Sequence, residues 1–140
     1  MMSEVNEMDL LKWLQIMRRY YIKKLDQKLI SHHLNSSLYY YIVKLFEFGD
    51  LPQEKIVQLT GVNPSNVTRA IKKLIELNFI CKKENPNDRR GFLLSLTKAG
   101  EKMYPTIMES IEEVNNEFLS SLSQKERKYF IESINKLANK

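Results

Sequence analysis

Two short helical patterns meet at a tight break near residue 61, and this break constrains the fold more than any other feature of the sequence. The first pattern runs from Pro52 to Thr60, and Gly61 follows as a residue that tolerates the left-handed backbone at a helix end. Asn63 can then cap a second helix with its side-chain oxygen, and Pro64 suits a first helical position. A connection of this length predicts a helix-turn-helix.

The second helix is predicted from Pro64 to Asn78, with one apolar and one polar face. At about 100° per residue, the apolar face consists of Val67, Ala70, Ile71, Leu74, Ile75 and Leu77. The polar face supplies the candidate DNA-binding residues, which are Ser65, Asn66, Thr68, Arg69, Lys72 and Lys73. Their hydroxyl, amide and cationic groups can bind phosphates and base edges. An ordinary amphipathic helix also has a solvated polar face, so this pattern alone leaves both interpretations open.

A predicted β-hairpin follows the second helix. Strand-like runs cover residues 79–84 and 92–97, and the loop between them carries Asp88, Arg89 and Arg90. Turn-forming residues explain the loop, but they do not require two adjacent arginines. An arginine on a narrow hairpin suits the minor groove, and Asp88 could orient the Arg90 guanidinium through a charge-assisted pair. Helix, turn, helix and basic hairpin together predict a winged helix-turn-helix, in which these three residues are further candidate site residues.

The hairpin also resembles a family signature. Residues 88–100 read Asp-Arg-Arg-Gly-Phe-Leu-Leu-Ser-Leu-Thr-Lys-Ala-Gly, similar to the wing of the MarR family of transcriptional regulators. That signature is Asp-x-Arg, three variable positions, a hydrophobic residue, x, Leu-Thr, x-x-Gly. Residues 67–69 read Val-Thr-Arg, which is common in the family's recognition helix. Pro64 departs from the family, where a polar residue is frequent at this position.

The resemblance implies a mainly α fold with a small β-hairpin wing. It divides a single domain, residues 1–140, into a winged helix-turn-helix lobe at about 36–100 and dimerisation helices at about 4–30 and 98–140. It also implies a homodimeric, ligand-responsive repressor of transcription that binds a palindromic operator in double-stranded DNA. A small aromatic or phenolic effector would bind between the dimer helices and the DNA-binding lobes, although no residue pattern identifies the effector or its site.

Net charge supports a nucleic-acid partner. The whole chain carries a formal charge of +5, and residues 52–98 alone contain nine Lys and Arg against four Asp and Glu. The entire positive excess therefore lies in the predicted DNA-binding module, where counterion release would strengthen binding. The alternative is a winged helix that binds proteins without reading DNA, but such a module has no need of this charge distribution.

Long helical patterns flank this module. Residues 4–30 form one pattern of about 40 Å, with more apolar positions than a small module can cover, so a second copy of the chain is the expected partner. Further helices are predicted from Ser37 to Phe48, over residues 98–119, and after a capping box at residues 123–126. The last helix is predicted to bury Phe130, Ile134 and Leu137. Three consecutive tyrosines, residues 39–41, lie near the start of the helix predicted from Ser37 to Phe48. They cannot all face the same side of that helix, and one or two of their rings are predicted to line a cavity.

Other classes of function lack sequence support. We find no phosphate-binding glycine loop, nucleophile elbow or metal-ligand spacing, so we expect neither an enzyme nor a cofactor. The adjacent His32 and His33 could suggest a metal, but neighbours in sequence point apart and the lone Cys81 does not complete a site. Cys81 is interpreted as an apolar strand residue without a sensing role. A single cysteine, an acidic start and no apolar run of about 20 residues favour a cytoplasmic protein without membrane contact.

Overall fold

The computed structural model describes residues 4–139, which contain six α-helices and a small antiparallel sheet. The elements in chain order are α1 (Leu10–Leu29), α2 (Tyr39–Phe48), β1 (Leu51–Pro52), α3 (Gln53–Thr60), α4 (Pro64–Glu76), β2 (Ile80–Asn85), β3 (Asp88–Leu96), α5 (Lys98–Phe118) and α6 (Gln124–Ala138). Short 3-10 turns precede and follow α1. The predicted mainly α fold with a β-hairpin wing is confirmed.

One hydrophobic core joins the helices and the sheet of the lobe. The sheet has the strand order β1-β3-β2, and Leu94 of the central strand lies opposite Leu51 of β1. Helices α2, α3 and α4 and the first half of α5 close over this sheet, and each contributes an apolar side chain with no exposed surface, namely Ile42, Ile56, Leu74 and Ile107. This packing holds the two helices of the helix-turn-helix against the wing.

Three details of the predicted lobe are wrong. Pro52 was expected to open a helix, but it lies in β1 at the sheet edge, where a residue without an N–H breaks no ladder bond. The second wing strand is longer than predicted: β3 begins at Asp88 rather than Phe92, so the turn is reduced to residues 86–87. Finally, α4 ends at Glu76 rather than Asn78, because Asn78 adopts a left-handed backbone with φ of 65°.

Helices α1 and α2 begin later than predicted because local hydrogen bonds stabilise turns in front of them. The Asn6 side chain accepts the Met8 N–H at 2.9 Å and caps the 3-10 turn at Glu7–Asp9. The Asn35 side chain accepts the Ser37 N–H at 2.9 Å, so α2 starts two residues after Ser37. The predicted helix over residues 4–30 is therefore interrupted at its start, and it ends at Leu29.

Helix α5 runs from the end of the wing to α1, against which it packs in the antiparallel direction. Lys28 lies 2.8 Å from Glu113 and Lys24 lies 3.7 Å from Glu117, atom to atom between ammonium and carboxylate. The hydrogen bond to the Glu113 carboxylate and its charge raise the pKa of Lys28. These contacts tie α5, which follows the wing directly, to α1 at the start of the chain.

The last helix is the least covered element of the protomer. The predicted capping box is confirmed, since Ser123 and Glu126 exchange hydrogen bonds between side chain and backbone. The predicted burial is wrong for the single chain, because Phe130 is only half-buried while Ile134 and Leu137 are 45% and 66% exposed. Within residues 4–139, this apolar face of α6 therefore stays largely open to solvent.

Candidate nucleic-acid interface

Helix α4 is held by its start and by its apolar face. The Asn63 side chain accepts the Ser65 N–H at 2.9 Å, as the sequence predicts, and Gly61 takes the left-handed backbone at φ of 65°. Val67, Ala70, Ile71 and Leu74 are buried against the core, while Ile75 and Leu77 are half-buried. This burial turns the opposite face of α4 towards solvent.

The structure brings the six predicted helix residues together on that exposed face. Ser65, Asn66, Thr68, Arg69, Lys72 and Lys73 are all exposed. The Asn66 side-chain oxygen accepts a hydrogen bond from the Arg69 guanidinium, which orients the arginine before any partner binds. The Ser65 hydroxyl donates to the Asn63 side chain at 2.7 Å, so in this arrangement it offers lone pairs rather than a proton to a partner.

A contact between α3 and α4 adds a residue that the sequence analysis missed. Gln53, the first residue of α3, donates from Nε2 to the Thr68 hydroxyl oxygen at 2.9 Å. The same hydroxyl donates to the Pro64 carbonyl oxygen at 3.0 Å. The only available sequence signal is the position of Gln53 at the start of the first helix of the helix-turn-helix, and that position does not reveal the contact with Thr68.

The wing presents Arg89 and Arg90 on the exposed start of β3. The predicted pairing of Asp88 with the Arg90 guanidinium is not what the structure shows. Instead, the Asp88 carboxylate accepts the Arg90 backbone N–H at 2.9 Å, and it also lies against Gly91. The carboxylate therefore shapes the strand that carries the arginine, because the two-residue turn places it beside the backbone.

The positive charges of this surface are not neutralised within the protomer. Four ion pairs occur among residues 4–139, and the only one in the lobe sheet joins Lys83 to Asp50 at 3.9 Å. None of the four involves the cationic residues predicted for α4 and the wing, which are Arg69, Lys72, Lys73, Arg89 and Arg90. These side chains are therefore available to an anionic partner such as a phosphate backbone.

A cleft of about 720 Å³ opens between the start of α2 and α4. All three tyrosines of residues 39–41 line it, where one or two were predicted, together with Ser36, Ser37, Arg69 and Lys73. Burial raises the pKa of Tyr39, so its phenol stays protonated at neutral pH. The cleft joins hydroxyl and aromatic groups at the start of α2 to cationic groups of α4.

The other candidate residues do not form a site of their own. Cys81 lies half-buried on β2, opposite Ser95 of β3. Across the described part of the chain, no three His, Cys, Asp or Glu side chains are grouped in a way that could hold a metal ion. Nor does any helix within residues 4–139 combine the length and the apolar character needed to cross a membrane.

Comparison with known proteins shows that this chain is similar to a family of transcriptional regulators. Residues 34–92 match the sequence profile described as MarR family. The uncharacterised HTH-type transcriptional regulator YwhA of Bacillus subtilis is 26% identical over 116 residues, or 83% of this chain and 84% of that protein.

Solved structures show the same fold over nearly the whole chain. The transcriptional regulator SlyA is 25% identical with a TM-score of 0.84, covering 93% of this chain and 92% of that one. A putative MarR family regulator from Listeria monocytogenes, solved with a 26mer DNA, is 24% identical with a TM-score of 0.81, covering 98% and 88%.

Proposed function

Because this chain belongs to the MarR family of winged helix-turn-helix transcriptional regulators, which are DNA-binding proteins rather than enzymes, we propose that it is a homodimeric repressor that reads a palindromic operator. The observation that carries the proposal is the exposed face of α4 and the wing, where five cationic side chains have no ion-pair partner in the described protomer. A bound dimer can repress simply by occupying a promoter. We place the protein in the cytoplasm, with its DNA.

The proposed dimer rests on exposed apolar residues at the two ends of the chain. Leu10, Leu11 and Leu14 of α1 are 57%, 69% and 49% exposed, and α6 exposes Ile134 and Leu137. Terminal helices that expose such faces can bury them against a second copy of the chain. Twofold symmetry would then set two recognition helices about one turn of DNA apart, on two half-sites of a palindrome.

The proposed effector is a small aromatic or phenolic molecule that binds between the dimerisation helices and the lobe. A cleft of about 420 Å³ at this junction supports the proposal, with Asp26 and Ile30 from the α1 side and Lys73 and Leu77 from the α4 side. An ammonium beside apolar side chains suits a phenolate or an aromatic carboxylate. Binding there would change the spacing of the lobes and weaken DNA affinity.

Selection of bound sequences from a random duplex pool tests this function. We expect a palindromic consensus with half-sites about one helical turn apart. Enrichment of no sequence would overturn the proposal and favour the alternative, a winged helix that binds proteins without reading DNA.

Two substitutions on α4 separate contacts to phosphate from contacts to bases. Lys72→Ala should weaken all duplexes alike and lower the salt slope by about one unit, because it removes one phosphate contact. Arg69→Ala should cost about 1–3 kcal/mol on the operator and relax preference at one position per half-site. Fluorescence anisotropy over a salt series measures both. Unchanged affinity and salt slope in both variants would show that this face does not meet DNA.

A further inference from the structure

The Thr68 hydroxyl has no proton left for DNA. It has one hydrogen, which it donates to the Pro64 carbonyl oxygen at 3.0 Å within α4. Its oxygen also accepts the hydrogen bond from Gln53 at 2.9 Å. Thr68 is exposed on the face that would meet DNA, and the group that it leaves free for a close contact is its methyl.

These bonds also settle which way the Gln53 carboxamide faces. Because the Thr68 hydroxyl donates its one hydrogen to the Pro64 carbonyl oxygen, only a donor can bond to the Thr68 oxygen from the α3 side. That donor is the Gln53 NH₂ group. One N–H points at Thr68, which leaves the amide oxygen and the second N–H of Gln53. With the N–H anti to the amide oxygen bonded to Thr68, an acceptor and a donor remain on one planar edge for a partner.

That edge matches one base better than it matches the DNA backbone. Adenine offers N7 as an acceptor and its 6-amino group as a donor in the major groove, and a glutamine amide pairs with both. A phosphate offers only acceptors, so it could use the N–H but would repel the amide oxygen. A methyl such as that of Thr68 suits contact with the thymine methyl.

We propose that Gln53 and Thr68 together read one A·T base pair in each half-site. Gln53 is the specificity-determining residue that bonds to adenine, and Thr68 positions it while its methyl contacts a thymine. The inference rests on the proposed function, since it requires an operator. It also means that Gln53 of α3, rather than Thr68 of α4, makes the hydrogen bonds to the base.

Modified bases within the selected operator test the bond to adenine. Replacing each adenine in turn by 7-deazaadenine removes the N7 acceptor. For wild-type protein, we expect a loss of about 5- to 100-fold in affinity at one adenine per half-site. Gln53→Ala should lose a similar factor on unmodified operator and then be indifferent to 7-deazaadenine at that position.

Two matched substitutions separate the two roles of Thr68. Thr68→Val keeps a methyl but removes the hydroxyl that holds Gln53, so discrimination at the adenine should fall while sensitivity to deoxyuridine in place of thymine persists. Thr68→Ser keeps the hydroxyl and removes the methyl, so it should show the reverse. A merely structural role for Thr68 would change overall affinity without changing either preference.

The outcomes separate this inference from the proposed function. If wild-type protein selects a consensus but Gln53→Ala keeps every base preference, or weakens all duplexes equally as loss of a phosphate contact would, the inference is overturned and the proposed function stands. If wild-type protein selects no consensus, the proposed function fails and the inference fails with it.

Discussion

Asp88 combines two properties at the tip of the wing that substitution can separate. Its carboxylate accepts the Arg90 backbone N–H, which shapes the start of β3, and it places a negative charge near the proposed DNA contact. An asparagine retains an acceptor oxygen without the charge, whereas an alanine removes both.

We therefore expect the two variants of Asp88 to differ in DNA affinity. Asp88→Ala should weaken operator binding, because Arg90 loses its ordered backbone and must be ordered again on binding. Asp88→Asn should bind at least as tightly as wild type, because it keeps the hydrogen bond and removes repulsion. Operator affinity at constant salt measures both. Tighter binding by Asp88→Ala would mean that the carboxylate matters only as a repulsive charge.

At this scale, the exposed residues of α4 could be predicted from the sequence, but their partners could not. A helical period decides which side chains face solvent, so Arg69 and Lys72 were found directly. The bond from Gln53 to Thr68 depends on how α3 crosses α4, which no periodicity encodes. Likewise, an Asp-x-Arg spacing is compatible with a bond to the guanidinium or to the backbone, and the register of the hairpin decides between them.

Among the elements, the junction between β3 and α5 depends on Gly100. The Thr97 hydroxyl caps α5 by accepting the Gly100 N–H at 3.0 Å, and it donates to the Asn78 carbonyl oxygen at 2.6 Å. This places the first turn of α5 so close to Phe79 that a Cβ on Gly100 would lie 2.2 Å from the Phe79 carbonyl oxygen.

Gly100→Ala should therefore destabilise the fold by about 1–3 kcal/mol or more, since neither backbone can move without the other. Chemical denaturation measures the change in the free energy of unfolding. Gly91→Ala is the matched control, because a Cβ there would meet its nearest atom at 3.4 Å, an ordinary contact. Equal stability of the two variants would show that a methyl group at position 100 fits beside the Phe79 carbonyl without strain.

The capping box of α6 should make its stability depend on acid. Hydrogen bonds from the Ser123 backbone and side chain lower the pKa of Glu126 from its ordinary value of 4.5. A carboxyl with a lowered folded-state pKa stabilises the fold fully above the unfolded value, and this contribution disappears as the pH falls through the folded value. The loss should therefore occur below about pH 4.5.

Glu126→Gln should flatten this acid dependence, because glutamine can make the same bonds without titrating. Melting temperature from neutral pH to below 4.5 measures it, with Glu132→Gln as a control for removing a carboxylate elsewhere on α6. Identical acid profiles of the two variants would contradict a role for the capping box.

Considered as a whole molecule, the proposed dimer would account for the apolar faces that the terminal helices expose. The length of the first helical pattern indicated a partner, but the sequence could not show how exposed the apolar face of α6 is. Burial was predicted there from its apolar stripe, and only the packed protomer reveals that Ile134 and Leu137 stay exposed among the described residues. A stripe shows that a face needs a partner, and it does not say which chain provides one.

Leu14→Glu should disrupt the proposed dimer, because it places a charge on the exposed apolar face of α1. Gln15→Glu adds the same charge at the neighbouring exposed position and should leave the dimer intact. Sedimentation velocity gives the association state of each. A dimeric Leu14→Glu variant would remove α1 from the interface.

Because α5 follows the wing and packs antiparallel to α1, it connects the wing to the proposed dimer interface. Its 21 residues span on the order of 30 Å, so a tilt of about 10° at the dimer end would swing the wing by roughly 5 Å. The Thr97 hydroxyl, which caps the start of α5, bonds to the Asn78 carbonyl oxygen just after α4. A movement of α5 would therefore displace the wing and α4 together. In the proposed dimer, such a tilt would move both recognition helices and both wings out of register with successive grooves of the operator.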